Sequence, residues 1–388
     1  MNIKNKKLLL IDNMNVVDGQ GGVEHVLCNM ANVMSRAGMN VLLATMENKI
    51  GVPFYSLDEK VKFYNIYQKK NIFEKIKREL TPKRKRYLRE LKYKAGLWDN
   101  FIKLQKPDII ICFSLPTLLE VTYNKNYNIP VILTIHGDPS NDYTNRFDFR
   151  PDYMNELYKE AYAKADCIQV LLDSYKNTVP NTFKGKLYTI ANVAPYNDYT
   201  IDYNKSGIKK IVCIASLCDR KHQDLLINAF SCIAKDYPDW ILELWGSGDK
   251  KEVYKNIINN NQMSDRIFLK GSTRNSYKVL KDTDIFALPS TCEGWPLVLG
   301  EAMSMGIPCV GLEICDGVNE IIRNNENGLL SNDSINIFSE KLKILMNSKI
   351  LRKQYGLQSK KDMDSYAPDI IWNKWKELIS ITLENYTS

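Results

Sequence analysis

Two carboxylates, Glu293 and Glu301, stand eight residues apart in EGWPLVLGE. The run DIFALPS (284–290) before them reads as a buried parallel strand. Pro296 suits the first helical position, where a missing N–H costs nothing. Leu297, Leu299, Ala302 and Met303 then give the helix a packing side. A helix that starts straight after a strand presents free N–H groups and a positive dipole end, an arrangement suited to an anion. The donors would be the amides of Trp295, Leu297 and Val298, with Gly294 on the same binding surface. Glu293 stands just before the helix and Glu301 about two turns into it. Neither is placed like a metal ligand. An amphipathic helix with two solvated glutamates accounts for the spacing equally well.

Three other groups of residues could carry chemistry. DGQGGVEHVL (18–27) follows the first strand and leads into a helix with Val23, Val26, Leu27, Met30 and Met34 on one face. A dinucleotide fingerprint wants a third glycine where Glu24 stands, and its turn is shorter. Gly21 and Gly22, without side chains, let the backbone approach a phosphate or an acceptor closely; an ordinary flexible loop is the plain alternative. His136, in TIHGD, falls at the carboxyl end of a strand, where a group can reach a ligand. A lone histidine can equally be structural. Asp138 is a weaker acceptor-side candidate. Asp282 and Asp284 form a D-x-D that elsewhere can hold a divalent metal; here helix-end capping is the favoured reading. His25 and His222 fall near helix starts and receive no chemical role.

These residues need a scaffold, and the apolar periodicity supplies one. LLLID, VLLATM, VKFYNIY, DIIICFS, VILTIHG, DCIQVLL and LYTIAN read as strands in the first half. KIVCIAS, WILELWG, RIFLKG, DIFALPS and IPCVGL do so in the second. Strands separated by helix-length segments imply right-handed βαβ units and parallel sheets. With 388 residues and 44% hydrophobic content, the chain is large enough for two such domains. The expected division is 1–200, 208–368 and a helix over 369–388, with the polar stretch 195–207 as boundary. Ile371, Trp372, Trp375, Leu378 and Ile379 give that last helix one apolar side. Ligands of open parallel sheets bind beyond the carboxyl strand ends, so two facing domains would share a cleft.

Composition limits the alternatives. No stretch is long enough to span a bilayer, and LLLI (8–11) is too short for a signal-peptide core. Nine scattered cysteines with no C-x-x-C pair read as reduced thiols in the cytoplasm, neither a disulfide framework nor a zinc site. Charge is concentrated. Residues 69–94 hold twelve basic and three acidic side chains, a net +9, against +8 for the whole chain. Leu88, Leu91, Ala95 and Trp98 recur at helical spacing there, as do Ile72, Ile76 and Leu80. A basic amphipathic segment over 69–98 reads as an anionic membrane surface element. A solvated helix pair is the bland reading. Nucleic acid is disfavoured because no binding motif accompanies the patch.

EGWPLVLGEAMSMGIPCVG resembles the E-x7-E signature of the retaining glycosyltransferases of family 4. The resemblance continues through DGVNEII, with Gly317 and Glu320 in the G-x-x-E position, and through NGLL (327–330). Upstream it takes in LELWGSGD and RIFLKG. It is dense over roughly 211–330 and sparser before. In the first half, Gly21, Gly22 and Glu24 meet the family's GG-x-E. The family's phosphate clamp is only half met in ASLCDRKHQDLL. Lys221 falls on the clamp lysine, while Ser216 replaces the arginine, without its charge or bidentate fork. Arg220 could compensate, or it could be a solvated loop residue.

The resemblance implies a GT-B fold, α/β with two doubly wound Rossmann-like domains. It implies transfer of a sugar, with retention, from a nucleotide diphosphate sugar (a UDP-sugar by expectation) to an acceptor hydroxyl. Glu301 would hold the ribose. Lys221 with Arg220 or Ser216 would hold the diphosphate, and Glu293 with the nearby amides the sugar. His136 and the Gly21–Gly22 loop would contribute from the first domain. No cofactor and no metal are expected. The expected acceptor is a lipid-linked glycan of surface polysaccharide synthesis, met at the inner face of the cell membrane. A nucleotide-sugar epimerase or hydrolase, and a non-catalytic glycan-binding relative, are the alternatives.

Overall fold

The computed structural model describes residues 3–13, 16–19, 21–68, 82–144, 151–195 and 198–387. The chain divides into two compact units, Met1–Ala191 with Trp372–Ser388, and Asn192–Ile371.

In the first unit the apolar runs become β1 (Lys7–Ile11), β2 (Asn40–Thr45), β3 (Lys62–Asn65), β4 (Ile109–Cys112), β5 (Val131–Thr134), β6 (Cys167–Val170) and β7 (Lys186–Thr189). They form one parallel sheet in the order β3-β2-β1-β4-β5-β6-β7. Central strands covered on both faces need apolar residues at every position. Leu8 to Ile11 and Ile109 to Cys112 accordingly have no exposed surface. The helix Gly22–Arg36 buries Leu27, Met30, Ala31 and Met34. The C-terminal helix Pro368–Thr387 buries its apolar side, and its Thr382 Oγ1 lies 3.5 Å from Cys167 Sγ of β6.

The second unit contains β8 (Lys209–Ile214), β9 (Trp240–Trp245), β10 (Ile267–Gly271), β11 (Ile285–Leu288), β12 (Cys309–Leu312) and β13 (Gly328–Ser331). They too form a parallel sheet, in the order β10-β9-β8-β11-β12-β13. β13 carries GLLS and is not among the strands expected from the sequence. It opens on a glycine and is four residues long, too short to announce itself by periodicity. Both sheets reverse direction beside their first strand, between β1 and β4 and between β8 and β11. Such a switch point is where an open α/β sheet binds its ligand.

The stretch 195–207, expected as the boundary, belongs to the second unit and is tied to it by long-range bonds. Ile201 N–H donates to the Met305 carbonyl at 3.2 Å, Tyr203 Oη to that of Gly306 at 2.5 Å, and Lys360 Nζ to that of Tyr199 at 2.9 Å. Polar composition alone hides these long-range bonds.

Residues 69–81 of the basic segment, with Ile72, Ile76 and Leu80, lie outside the described residues. The rest forms the helix Lys83–Gln105. Its apolar stripe does not face outward, as insertion into a membrane would require. Leu91, Ala95, Trp98 and Ile102 are buried. Glu120, itself buried, accepts from Trp98 Nε1 at 3.2 Å, from Asn13 Nδ2, and from Lys94 Nζ at 2.6 Å. The stripe serves its own unit's core, and the exposed face retains Lys83, Arg84, Lys85, Arg89 and Lys92.

Candidate functional site

The switch point of the second sheet brings together the loops after β8 and β11. The first carries Ser216, Arg220 and Lys221; the second carries Glu293 and Gly294. Thr291 N–H donates to the Arg220 carbonyl at 2.9 Å, stitching the two loops. Lys221 Nζ is ion-paired with Glu293 Oε1, and both side chains are mostly buried, 15% and 12% exposed. Two residues assigned to different parts of one ligand thus touch each other. Gly317, of the G-x-x-E, explains how Glu293 is held. A Cβ there would come within 2.5 Å of the Glu293 and Gly294 carbonyls, so only glycine lets the turn after β12 press on this loop.

The helix after Glu293 starts one residue later than expected. Pro296 is the N-cap with extended backbone (ψ 109°), and the helix is Leu297–Ser304. Leu299 and Gly300 N–H both bond the Pro296 carbonyl, so the amides of Leu297 and Val298 precede the ladder. The Trp295 side chain is buried against Tyr366, and its carbonyl accepts from Asn192 Nδ2 at 3.0 Å. Glu301 is the fifth helical residue, just over one turn in. Burial pushes its carboxyl up, opposed by a hydrogen bond from Ser276. The buried Tyr277 hydroxyl is pushed well up, chiefly by burial and then by Glu301. Ser276 and Tyr277 come from the short helix Ser276–Leu280, and no spacing signal ties them to Glu301.

Cation placement beside this pair is uneven. Ser216 is exposed, with Oγ 3.5 Å from Cys218 Sγ. Arg220 is exposed, and its guanidinium makes no ion pair or hydrogen bond among the described residues. Its backbone, not its side chain, anchors the loop. The aspartates of the D-x-D do not cap a helix. Asp282 pairs with Lys205 and, at 2.5 Å, with Lys210; Asp284 Oδ2 accepts from Lys210 N–H at 2.8 Å. They precede β11, at the strand end opposite to Glu293, and bind it to the start of β8. Among the described residues no cluster of three His, Cys, Asp or Glu could hold a metal.

In the first unit, His136 follows β5. Its ring stacks on Phe113 with centroids 5.2 Å apart, and Nε2 lies 3.4 Å from Thr134 Oγ1. Burial pulls the imidazole down to about 4, so it is neutral at pH 7. Nδ1 is buried and has no hydrogen-bond partner among the described residues. Gly21 is the N-cap of Gly22–Arg36, and both glycines are exposed. A Cβ on Gly21 would collide with the Glu24 carboxylate, which folds back over the turn; this links the glycine and the glutamate of GG-x-E. Asp138 Oδ1 accepts from Ser140 N–H at 2.9 Å and so helps shape its own turn.

Residues 20–192 match the family model described as Glycosyltransferase Family 4, and residues 201–362 match that described as Glycosyl transferases group 1. The chain belongs to the glycosyltransferases of family 4. It is 28% identical over 371 residues to an uncharacterized glycosyltransferase of Haemophilus influenzae, covering 94% of this chain and 97% of that one. It is 25% identical over 288 residues to the poly(ribitol-phosphate) alpha-N-acetylglucosaminyltransferase of Staphylococcus aureus. That match covers 73% of this chain and 57% of the relative, so the chain spans little over half of it. Among solved structures, a mutant of S. aureus TarM in complex with fondaparinux, alpha-GlcNAc-glycerol and UDP superposes with a TM-score of 0.76. It is 17% identical and covers 96% of this chain and 98% of that one. At that identity the likeness concerns the fold, which is GT-B: two Rossmann-like parallel-sheet domains.

Proposed function

We propose that this glycosyltransferase moves a sugar, with retention at the anomeric carbon, from a nucleotide diphosphate sugar to a hydroxyl of a lipid-linked glycan. The observation that carries the reading is the Lys221–Glu293 pair at the switch point, with the exposed Arg220 next to Lys221 on the same turn. Lys221 and Arg220 hold the diphosphate. Glu293, Gly294 and the amides of Trp295, Leu297 and Val298 hold the sugar, and Glu301 holds the ribose. The Ser216 hydroxyl is a minor diphosphate donor. UDP is the expected nucleotide, by analogy with the ligand named for the S. aureus structure.

In the step proposed, the bond from the anomeric carbon to the diphosphate oxygen breaks. The acceptor oxygen bonds that carbon on the same face, and the departing phosphate takes the acceptor proton. Fixed cations and helix-start amides stabilise the charge that develops on the diphosphate. No metal enters this scheme, because cationic side chains and backbone dipoles cover the leaving group. From the first domain, the neutral His136 and the exposed Gly21–Gly22 turn would contribute, the turn letting an acceptor approach the backbone. No described helix is long and apolar enough to cross a membrane. We assign the enzyme to peripheral attachment at the cytoplasmic membrane face through the exposed cations of Lys83–Gln105.

The test is product analysis with a panel of nucleotide sugars and a lipid-linked glycan extract. A new glycosidic bond with the donor's anomeric configuration, seen by NMR, is expected. Inversion overturns same-face attack. Donor turnover that ignores the acceptor favours an epimerase or hydrolase.

A further inference from the structure

His222 follows Lys221 directly and adopts a left-handed backbone (φ 50°), uncommon for a residue with a side chain. It is the N-cap of the helix Gln223–Ile233 and closes the turn Asp219–Lys221 through its N–H to the Asp219 carbonyl at 3.0 Å. Its ring is held on both sides. Nδ1 lies 3.1 Å from Asp224 Oδ1, and Nε2 lies 2.7 Å from Asp333 Oδ1. Asp224 belongs to the helix that His222 caps. Asp333 comes from the turn between β13 and the helix Ile335–Asn347. A carboxylate only accepts, and a neutral imidazole has one N–H; both bonds together require the imidazolium.

We infer that His222 is a positioning residue for the phosphate-binding turn: its doubly bonded imidazolium ties the turn carrying Arg220 and Lys221 to the neighbouring helix start and cancels carboxylate charge beside it. The inference rests on the donor-site reading of Lys221. The charges that bear on the ring are those of Asp224 and Asp333, and together they hold it protonated up to about 9. The adjacent cation, Lys221, is engaged by Glu293. Asp219, on the same turn, is paired with Lys250 at 2.7 Å. Without the imidazolium, Asp224 and Asp333 stand uncompensated next to the turn. They would then repel an incoming diphosphate and compete for Lys221 and Arg220.

The test uses the full chain and UDP, with GDP in parallel, titrated calorimetrically from pH 6.5 to 10. Wild type should lose affinity severalfold as the pH passes about 9. His222→Gly accepts the left-handed backbone without strain, so it isolates the imidazolium. It should bind severalfold more weakly at pH 7 and lack the fall near 9. Asp333→Asn should keep its affinity at pH 6.5 and move the alkaline fall to lower pH. The chain has three histidines, so the His222 ring can be titrated by NMR in parallel. Wild-type binding and pH profile in His222→Gly, with binding lost in Lys221→Ala, overturn this inference alone. Unchanged binding in both variants overturns the donor-site reading beneath it.

Discussion

Lys221 and Glu293 form an ion pair that joins the loop after β8 to the loop after β11, the two strands flanking the switch point of the second sheet. A diphosphate reaching Lys221 must compete with that carboxylate. Glu293→Gln should therefore bind the bare nucleoside diphosphate more tightly, by about tenfold, or about 1.4 kcal/mol. Turnover should fall at least about tenfold, because the charge proposed to lie beside the reacting sugar is lost. Lys221→Ala should weaken both. Contacting residues couple by about 0.5–3 kcal/mol in double-mutant cycles. Strict additivity in binding, with wild-type affinity in Glu293→Gln, would sink the competition.

Glu301 is held at a cost to the fold. Burial raises its carboxyl pKa in the folded state. Such a group stabilises the fold below its unfolded value, and that contribution is lost as pH rises through the folded one. At neutral pH the buried charge is thus a burden. Glu301→Gln keeps an acceptor for Ser276 and removes the charge. Its melting temperature should rise between pH 6 and 8, while the donor KM increases by about tenfold, since the proposed ribose contact would serve ground and transition states alike. A lower melting temperature with an unchanged KM would assign Glu301 to the scaffold.

The D-x-D should prove dispensable for chemistry. Burial pushes Asp282 up, but Lys205 and Lys210 outweigh it and hold the carboxyl below its usual range. Its contribution to stability is present above the unfolded pKa and lost as pH falls through the folded one. Being half exposed, the pair is worth about 0–1 kcal/mol. Asp282→Asn should cost that much in denaturant melts and leave kcat intact. Activity should also survive exhaustive chelation. Loss with EDTA, restored by manganese or magnesium, would overturn the metal-free scheme.

Much of the scaffold is legible in the sequence because parallel strands buried on both faces are written as unbroken apolar runs, such as LLLI and IIIC. Glu293 and Lys221 stand out as candidates because each follows an apolar strand run, and the structure brings the two together. What escapes depends on long-range contact. The Lys221–Glu293 pair joins residues 72 apart in sequence. His222 meets Asp333 across 111 residues, and Ser276 reaches Glu301 from another helix. The basic helix misleads for a related reason. An amphipathic stripe shows that one face will be covered, and only Glu120, with Trp98 and Lys94 around it, shows by what.

The last prediction concerns that helix. With Leu91, Ala95 and Trp98 buried, attachment to a bilayer through this helix is electrostatic and not insertive. Lys83, Arg84 and Lys85 are exposed at the helix start and Arg86 is half-buried beside them, whereas Lys94 is engaged by Glu120. Each basic residue near an anionic surface contributes about 1 kcal/mol. Changing residues 83–86 to glutamine should cut binding to anionic vesicles at least about tenfold. Neutral vesicles should bind neither protein. Salt at about 1 M, where the Debye length falls to about 3 Å, should abolish wild-type binding. The melting temperature and nucleotide affinity should not move, since the apolar side of the helix and the Lys221 site are untouched. Flotation at low salt reads the result. If the wild type fails to float with anionic vesicles, or the variant floats equally well, the cations serve another purpose and a soluble acceptor takes precedence.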